Sequence, residues 1–249
     1  MIAVISPAKT LDLDTPLPPV APTQPRFAAE AATLARSAAR LPQKRLRALM
    51  GISPALAKLN HDRFVAFDGA VERPALYTFA GDVYRGLDAP TLDEAAVDFA
   101  QDHLRMLSGL YGLLRPLDAI RPYRLEMGVH WAPRRTRLTD WWGDRVASAL
   151  ADDLAAEGSG VVLNLASNEY WAAVEGRLPA GVRVVSADFR EGADRRFVSF
   201  TAKHARGAMA RWLVEHRVAA VEDMQAFEWN GYRYIAEESD ADRWRFVRG

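Results

Sequence analysis

The sequence predicts an α/β fold: a single compact domain with a mixed sheet, flanking helices and a helix-hairpin-helix-like element at about residues 43–60. Three observations carry this. Short all-apolar runs, Ile2–Ile5 and Val161–Leu165, read as buried strands. Stretches of helical period lie between the strand candidates. The 249 residues are 49 % apolar, with no internal repeat and no low-complexity linker after residue 26. That is enough chain for one sizeable core spanning 1–249.

The elements follow in order. Ile2–Ile5 ends at Ser6-Pro7 and is the first strand. Thr15–Pro25 holds five prolines and must be a loop or extended arm. Phe27–Leu41 is alanine-rich with apolar residues at helical spacing, a helix. Ala75–Phe79 is a strand candidate. Asp93–Met106 is a helix with Leu92, Ala96, Phe99 and His103 on one face. Thr139 caps a helix to about Glu157, Val161–Leu165 is a buried strand, and Asn168–Val174 is helical. Val182–Ala187 and Phe197–Phe200 are strands, the second followed by a helix from about Lys203 to Arg217. Asn230-Gly231 between Trp229 and Tyr232 marks a tight hairpin within Phe227–Tyr234. Trp244–Val247 is the last strand.

Composition excludes several classes. Lys+Arg and Asp+Glu are equal at 32 each, so no global field draws the chain to nucleic acid or membrane. The charge is blocked, however. Arg40–Arg63 carries a local +5, Phe64–Asp102 a −6, His103–Arg137 a +5 and Lys203–Arg217 a +3. These blocks build one basic cleft backed by an acidic face, or they scatter over the surface. The absence of cysteine excludes disulfides, thiolate metal sites and thiol chemistry. The five histidines show no i, i+4 pair, so no metal is expected. The start of the chain has no signal-peptide character and no apolar run reaches about 18 residues, so a cytoplasmic protein without membrane contact is expected. No glycine-rich dinucleotide or phosphate loop is present, and no cofactor is expected. Only Lys9, Lys44, Lys58 and Lys203 stand beside 28 arginines. A chain that favours arginine keeps lysine where a compact, titratable amine is wanted, which points to Lys9 and Lys203.

Two segments carry mechanism. Residues 46–60 have helix-hairpin-helix grammar: a helix ending near Leu49, a turn at Gly51-Ile52-Ser53, and Pro54 opening the next helix. Backbone N–H groups there suit a DNA phosphate, with Arg45, Arg47 and Lys58 adding charge and no sequence specificity. The alternative is an ordinary helix connection with a buried Leu/Ile face, and Ser53 in place of the usual second glycine weighs toward it. Residues 103–128 mix Arg105, Arg115, Arg121 and Arg124 with Tyr111, Tyr123 and Glu126 between glycines and prolines. Such a loop places guanidinium forks and aromatic faces in one cleft. The alternative is a crossing loop whose arginines hold carboxylates.

Five blocks occur in order along the chain: Ser6-Pro7-Ala8-Lys9-Thr10; Phe79-x-Gly81-Asp82-Val83-Tyr84-x-Gly86-Leu87; the 103–128 run; Asn164-Leu165-Ala166-Ser167-x-Glu169-Tyr170; and Lys203-x-x-Arg206-Gly207. Together they resemble the YaaA family of bacterial peroxide-stress proteins over nearly the whole chain. The resemblance implies a cytosolic protein that binds duplex DNA and limits free-iron-driven damage to it. It also implies a single α/β domain with a basic cleft. The Pro-rich arm and the Arg-rich 133–137 stretch depart from the family pattern.

The strand-end rule of α/β sheets then gathers a candidate site. Ser6 and Asn164–Ser167 follow buried strands, and Lys9 and Lys203 follow others. If these ends converge, Lys9, Arg105, Arg124, Lys203 and Arg206 join Ser6, Glu126, Asn164, Ser167 and Glu169 around one polar cleft. The leading expectation is sequence-nonspecific binding of double-stranded DNA by a monomer. Its contacts are Gly51, Ile52, Ser53, Lys58, Lys9, Arg105, Arg115, Tyr123, Arg124, Lys203 and Arg206, with no catalytic residue assigned. The alternative is an enzyme acting on a nucleotide or nucleic-acid base in the same cleft. A third reading is an iron-binding protein.

Overall fold

The computed structural model describes residues 1–249. β1 (Ile2–Ile5) is fully buried. It is followed by the short β2 (Thr10–Leu11) and, from Thr15 to Pro25, by chain without a regular element. α1 (Ala28–Ala39) buries Ala31, Leu34, Ala35 and Ala38, one stripe at helical spacing. α2 (Gln43–Met50) stops at Gly51, whose φ of 60° and ψ of 39° place it in the left-handed region. α3 (Pro54–Val65) is capped by Ser53, whose Oγ accepts from the N–H of Leu56 at 3.3 Å.

The strand expected at Ala75–Phe79 is a turn of helix instead. β3 (Arg73–Pro74) leads into α4 (Ala75–Thr78), and only Phe79 joins a strand, β4 (Phe79–Ala80). Pro74 presets the helical start, and Thr78 Oγ1 donates to the Pro74 carbonyl at 2.7 Å. α5 (Asp82–Leu87) precedes α6 (Glu94–His103), which Asp93 caps. The helix expected to reach Met106 ends at His103, because Leu104–Ser108 is β5, a fully buried strand of the main sheet. β6 (Gly112–Leu114) and β7 (Ala119–Ile120) follow.

The helix expected from Thr139 to Glu157 is two, α7 (Leu138–Trp142) and α8 (Arg145–Glu157). Gly143, at φ 53° and ψ −131°, breaks them, and Arg137 rather than Thr139 precedes the first. β8 (Val161–Asn164), α9 (Asn168–Trp171) and β9 (Arg183–Glu191) come next. The strand expected at Phe197–Phe200 does not form. Both phenylalanines are exposed and α10 (Ser199–His216) starts among them. Asn230 and Gly231 have φ of 47° and 81° in the tight turn closed by Trp229 and Tyr232. β10 (Arg233–Tyr234) and β11 (Arg243–Arg248) end the chain.

Seven strands form one mixed sheet in the order β10-β11-β9-β8-β1-β5-β6. The inner five run parallel, and an antiparallel strand closes each edge. β1 pairs Ile2 with Val162 on one side and Ala3 with Leu104 on the other. From β1 the chain therefore reaches β5 on one side and β8 on the other. That reversal is the switch point outside which ligands sit in parallel sheets. No helix is long and apolar enough to cross a membrane.

Candidate functional site

A cleft of about 1690 Å³ opens at the carboxyl ends of β1 and β8. Ser6, Pro7, Ala8 and Lys9 enter it from β1 and Asn164 to Trp171 from β8 and α9. The two strand ends are tied together. Ser6 Oγ accepts from the Ser167 N–H at 2.9 Å and donates to Ser167 Oγ at 3.3 Å. Asn164 Oδ1 accepts from the Ala166 N–H at 3.0 Å, and Tyr84 donates its hydroxyl to the Ser6 carbonyl at 3.2 Å. These polar groups fix loop shape, each satisfied within the protein.

β9 supplies the floor by alternation. Val185, Ala187, Phe189 and Glu191 are buried, while Val184, Ser186, Asp188 and Arg190 face the cleft. Asp188 holds Arg190 at 2.8 Å and Arg245 at 3.2 Å. α10 makes a wall with Lys203 and Arg206. It is seated on α5 through two glycines: a Cβ on Gly86 would lie 2.1 Å from the His204 carbonyl oxygen, and one on Gly207 1.8 Å from that of Val83. The glycines of two sequence blocks thus serve close helix packing, which in turn sets Lys203 and Arg206. Burial lowers the Arg206 pKa, with Asp188 opposing, and its Nε has no partner.

A narrow recess of about 10 Å³ adjoins the cleft and shares Pro7, Ala8, Lys9 and Tyr170 with it. Here Arg124 Nε donates to Glu126 Oε1 at 2.9 Å, and Lys9 Nζ stands 3.6 Å from the same oxygen. Glu126 is buried and its Oε2 has no hydrogen-bond partner. Gly109 lets the 125–126 backbone approach: a Cβ there would meet the Leu125 carbonyl oxygen at 2.2 Å. Tyr123 lies beneath, hydroxyl to Ser108 Oγ at 2.6 Å. Burial pushes the Tyr123 and Tyr170 hydroxyls well above their ordinary range and Tyr111 up to about 12.

The structure thus brings together Ser6, Lys9, Asn164, Ser167, Glu169, Lys203 and Arg206, with Arg124, Glu126 and Tyr123 next door. It does not bring Arg105 or Arg115. Arg105 Nε is bound to Asp153 Oδ2 of α8 at 2.6 Å, with Nη1 on the Gln101 and Leu104 carbonyls. Arg115 folds onto Asp118 at 3.1 Å. Neither lines the cleft or the recess. Gly51, Ile52, Ser53 and Lys58 also lie outside both.

The lining itself is not the basic groove expected from the charge blocks. Eight carboxylates face it against six cations, because Asp12, Asp82, Asp88 and Asp188 converge on it too. Sequence reading missed Asp188, Arg190 and Phe197. The period-two pattern past Ala187 was the available signal for the first two. No cluster of three or more potential metal-ligating side chains forms.

On the surface, the α2–α3 turn is different. Lys44, Arg45 and Arg47 are exposed. Lys58 holds Asp62 at 2.6 Å, the one ion pair made by these four cations.

The family described as peroxide stress protein YaaA matches residues 1–238. A UPF0246 protein of Rhizorhabdus wittichii is 56 % identical over 251 residues, covering 100 % of this chain and 99 % of its own. A UPF0246 protein of Dinoroseobacter shibae is 48 % identical over 256 residues, covering 100 % and 95 %. One of Aliivibrio fischeri is 44 % identical over 255, covering 100 % and 98 %.

Proposed function

The chain belongs to the peroxide stress protein YaaA family, and on that premise we propose that it binds duplex DNA without sequence preference and so limits free-iron-driven damage there. The observation that carries this reading is the α2–α3 turn. Gly51 is left-handed with open space around its Cα, and Ser53 caps α3. The Ser53 and Ala55 N–H groups make no internal bond. A helix start with free N–H groups favours an anion, and Lys44, Arg45 and Arg47 add exposed, unpaired positive charge on the preceding helix α2. Phosphates are the same on every sequence, so such contacts position without specifying.

The acidic lining of the cleft works against a duplex lying along it. The primary phosphate contact is therefore assigned to the turn, with Lys9, Arg124, Lys203 and Arg206 as a secondary set. The protein acts as a cytosolic monomer in this reading. Anisotropy titrations of two unrelated duplexes of equal length test it. Equal affinities that fall steeply with salt are expected. A large preference for one sequence, or no salt dependence, contradicts it.

A second reading, an enzyme acting on a nucleotide or nucleic-acid base, has its own observation: the buried Glu126, with Oε2 unpartnered and Oε1 3.6 Å from Lys9 Nζ, suits chemistry rather than simple phosphate binding.

A further inference from the structure

Lysine is scarce in this chain, four residues against 28 arginines, and two of the four, Lys9 and Lys203, line the cleft. A primary amine condenses with an aldehyde, whereas a guanidinium supplies charge alone. Of the two cleft lysines, Lys9 is the one placed beside a carboxylate, its Nζ 3.6 Å from Glu126 Oε1 with its side chain 56 % exposed. Glu126 is the reverse, a carboxylate with its side chain 7 % exposed. Arg124 holds its Oε1, and Oε2 is left with no partner. A buried acceptor costs about 1–3 kcal/mol when unsatisfied, so an orphan of this kind calls for an explanation. The recess in front of it has room for about one water, enough for proton movement and too little for a substrate. An aldehyde must therefore reach Lys9 Nζ from the cleft. The chain's other primary amines are placed differently. The amine of Met1 is buried against Glu157 at 2.6 Å, and Lys44 and Lys58 lie outside the cleft.

We propose that Lys9 is an amine nucleophile toward aldehydes and Glu126 its proton-transfer partner, the substrate being the ring-opened deoxyribose of an abasic site in DNA. The choice of substrate rests on the DNA-binding reading above. Abasic sites are products of the radical damage that peroxide and iron cause, and one extruded from a duplex would bring its C1′ aldehyde to the cleft that Lys9 shares with Lys203 and Arg206.

The steps balance. Lys9 Nζ adds to C1′, forming the C–N bond, and its proton passes to Glu126. That proton, returned by Glu126, and one from solvent leave with the C1′ oxygen as water, giving a protonated imine. Glu126, again a carboxylate, takes a proton from C2′ through a water in the recess. The electron pair forms the C2′–C3′ double bond and expels the 3′ phosphate. Water then releases the unsaturated aldehyde from Lys9. No oxidant, metal or cofactor is consumed.

The test is reductive trapping. Purified protein at saturating concentration is mixed with a duplex carrying one abasic site, sodium borohydride is added, and adducts are resolved on a denaturing gel. A single covalent adduct that peptide mass spectrometry places on Lys9 is expected. Lys9→Arg should abolish the adduct at saturating protein while circular dichroism stays native. Glu126→Gln should slow single-turnover strand cleavage by about 100-fold or more. Free 2-deoxyribose 5-phosphate, which needs no duplex affinity, is trapped in parallel. Duplex binding without an adduct, or an adduct on Lys203, overturns the proposal and spares the binding reading. Loss of duplex binding with a Lys9 adduct to the free sugar phosphate overturns the DNA substrate and upholds the amine.

Discussion

Nε of Arg105 lies 2.6 Å from Oδ2 of Asp153, joining β5 to α8 through side chains that are 7 % and 10 % exposed. Asp153 also takes Arg26. The two partners are therefore not equivalent. Asp153→Ala leaves a buried guanidinium with only carbonyl acceptors and should cost about 3–5 kcal/mol. Arg105→Ala leaves Asp153 with Arg26 and should cost less, about 2 kcal/mol. Urea denaturation checks the order. At temperatures where it is folded, Arg105→Ala should bind duplex DNA like wild type, since its charge is spent inside the protein.

Gly207 gives a second prediction. A Cβ there would stand 1.8 Å from the Val83 carbonyl oxygen, on rigid backbone. Gly207→Ala must push α10 off α5, at about 3 kcal/mol or more. Thermal unfolding should drop by many degrees. An unchanged midpoint would mean that the two helices separate freely, and that the glycine of the Lys203-x-x-Arg206-Gly207 block serves something other than packing.

Buried tyrosines set the alkaline limit. Burial raises the hydroxyl pKa of Tyr84, Tyr123 and Tyr170 well above 10, and Tyr111 to about 12. A raised folded pKa means that the folded state keeps protons which the unfolded chain releases near pH 10. This stabilisation is complete below about pH 10 and is lost as pH rises toward the folded values. Urea midpoints should thus fall steeply from pH 10 to 11.5 and little between pH 7 and 9. Tyr111→Phe should flatten part of that fall.

Much of this architecture can be read from the chain. Ile2–Ile5 and Val161–Leu165 announce themselves because each is a continuous apolar run bounded by turn formers. Since ligands collect at strand ends, Ser6, Lys9 and Asn164–Glu169 follow from those two runs alone. β5 is invisible by the same method. Leu104 follows His103 with no glycine or proline between, and its apolar residues continue the helical period. What makes it a strand is the pairing with β1 and β6, which is tertiary. Arg105 misleads for a related reason, since its partner Asp153 is 48 residues away and nothing local marks the pairing. Phe197 and Phe200 look like a strand because they are β-formers, yet their exposure marks the start of a helix. The cleft's acidity is hidden because its carboxylates come from five separate segments of the chain.

The DNA-binding account stands on the α2–α3 turn, and the salt dependence of duplex affinity measures that turn most directly. Gly51→Val places a β-branched residue at φ 60°, which costs about 1–2 kcal/mol and reshapes the turn, but its Cβ meets no neighbouring atom within 4 Å. Arg45→Ala with Arg47→Ala removes two exposed charges and no internal ion pair. Anisotropy titrations from 50 to 300 mM salt should show weaker binding by both. The double arginine variant should also lose about 0.9 from the slope of log K against log salt for each phosphate contact removed. Wild-type affinity and slope in both variants, with native circular dichroism, would contradict the account and leave the turn a plain connection between two helices.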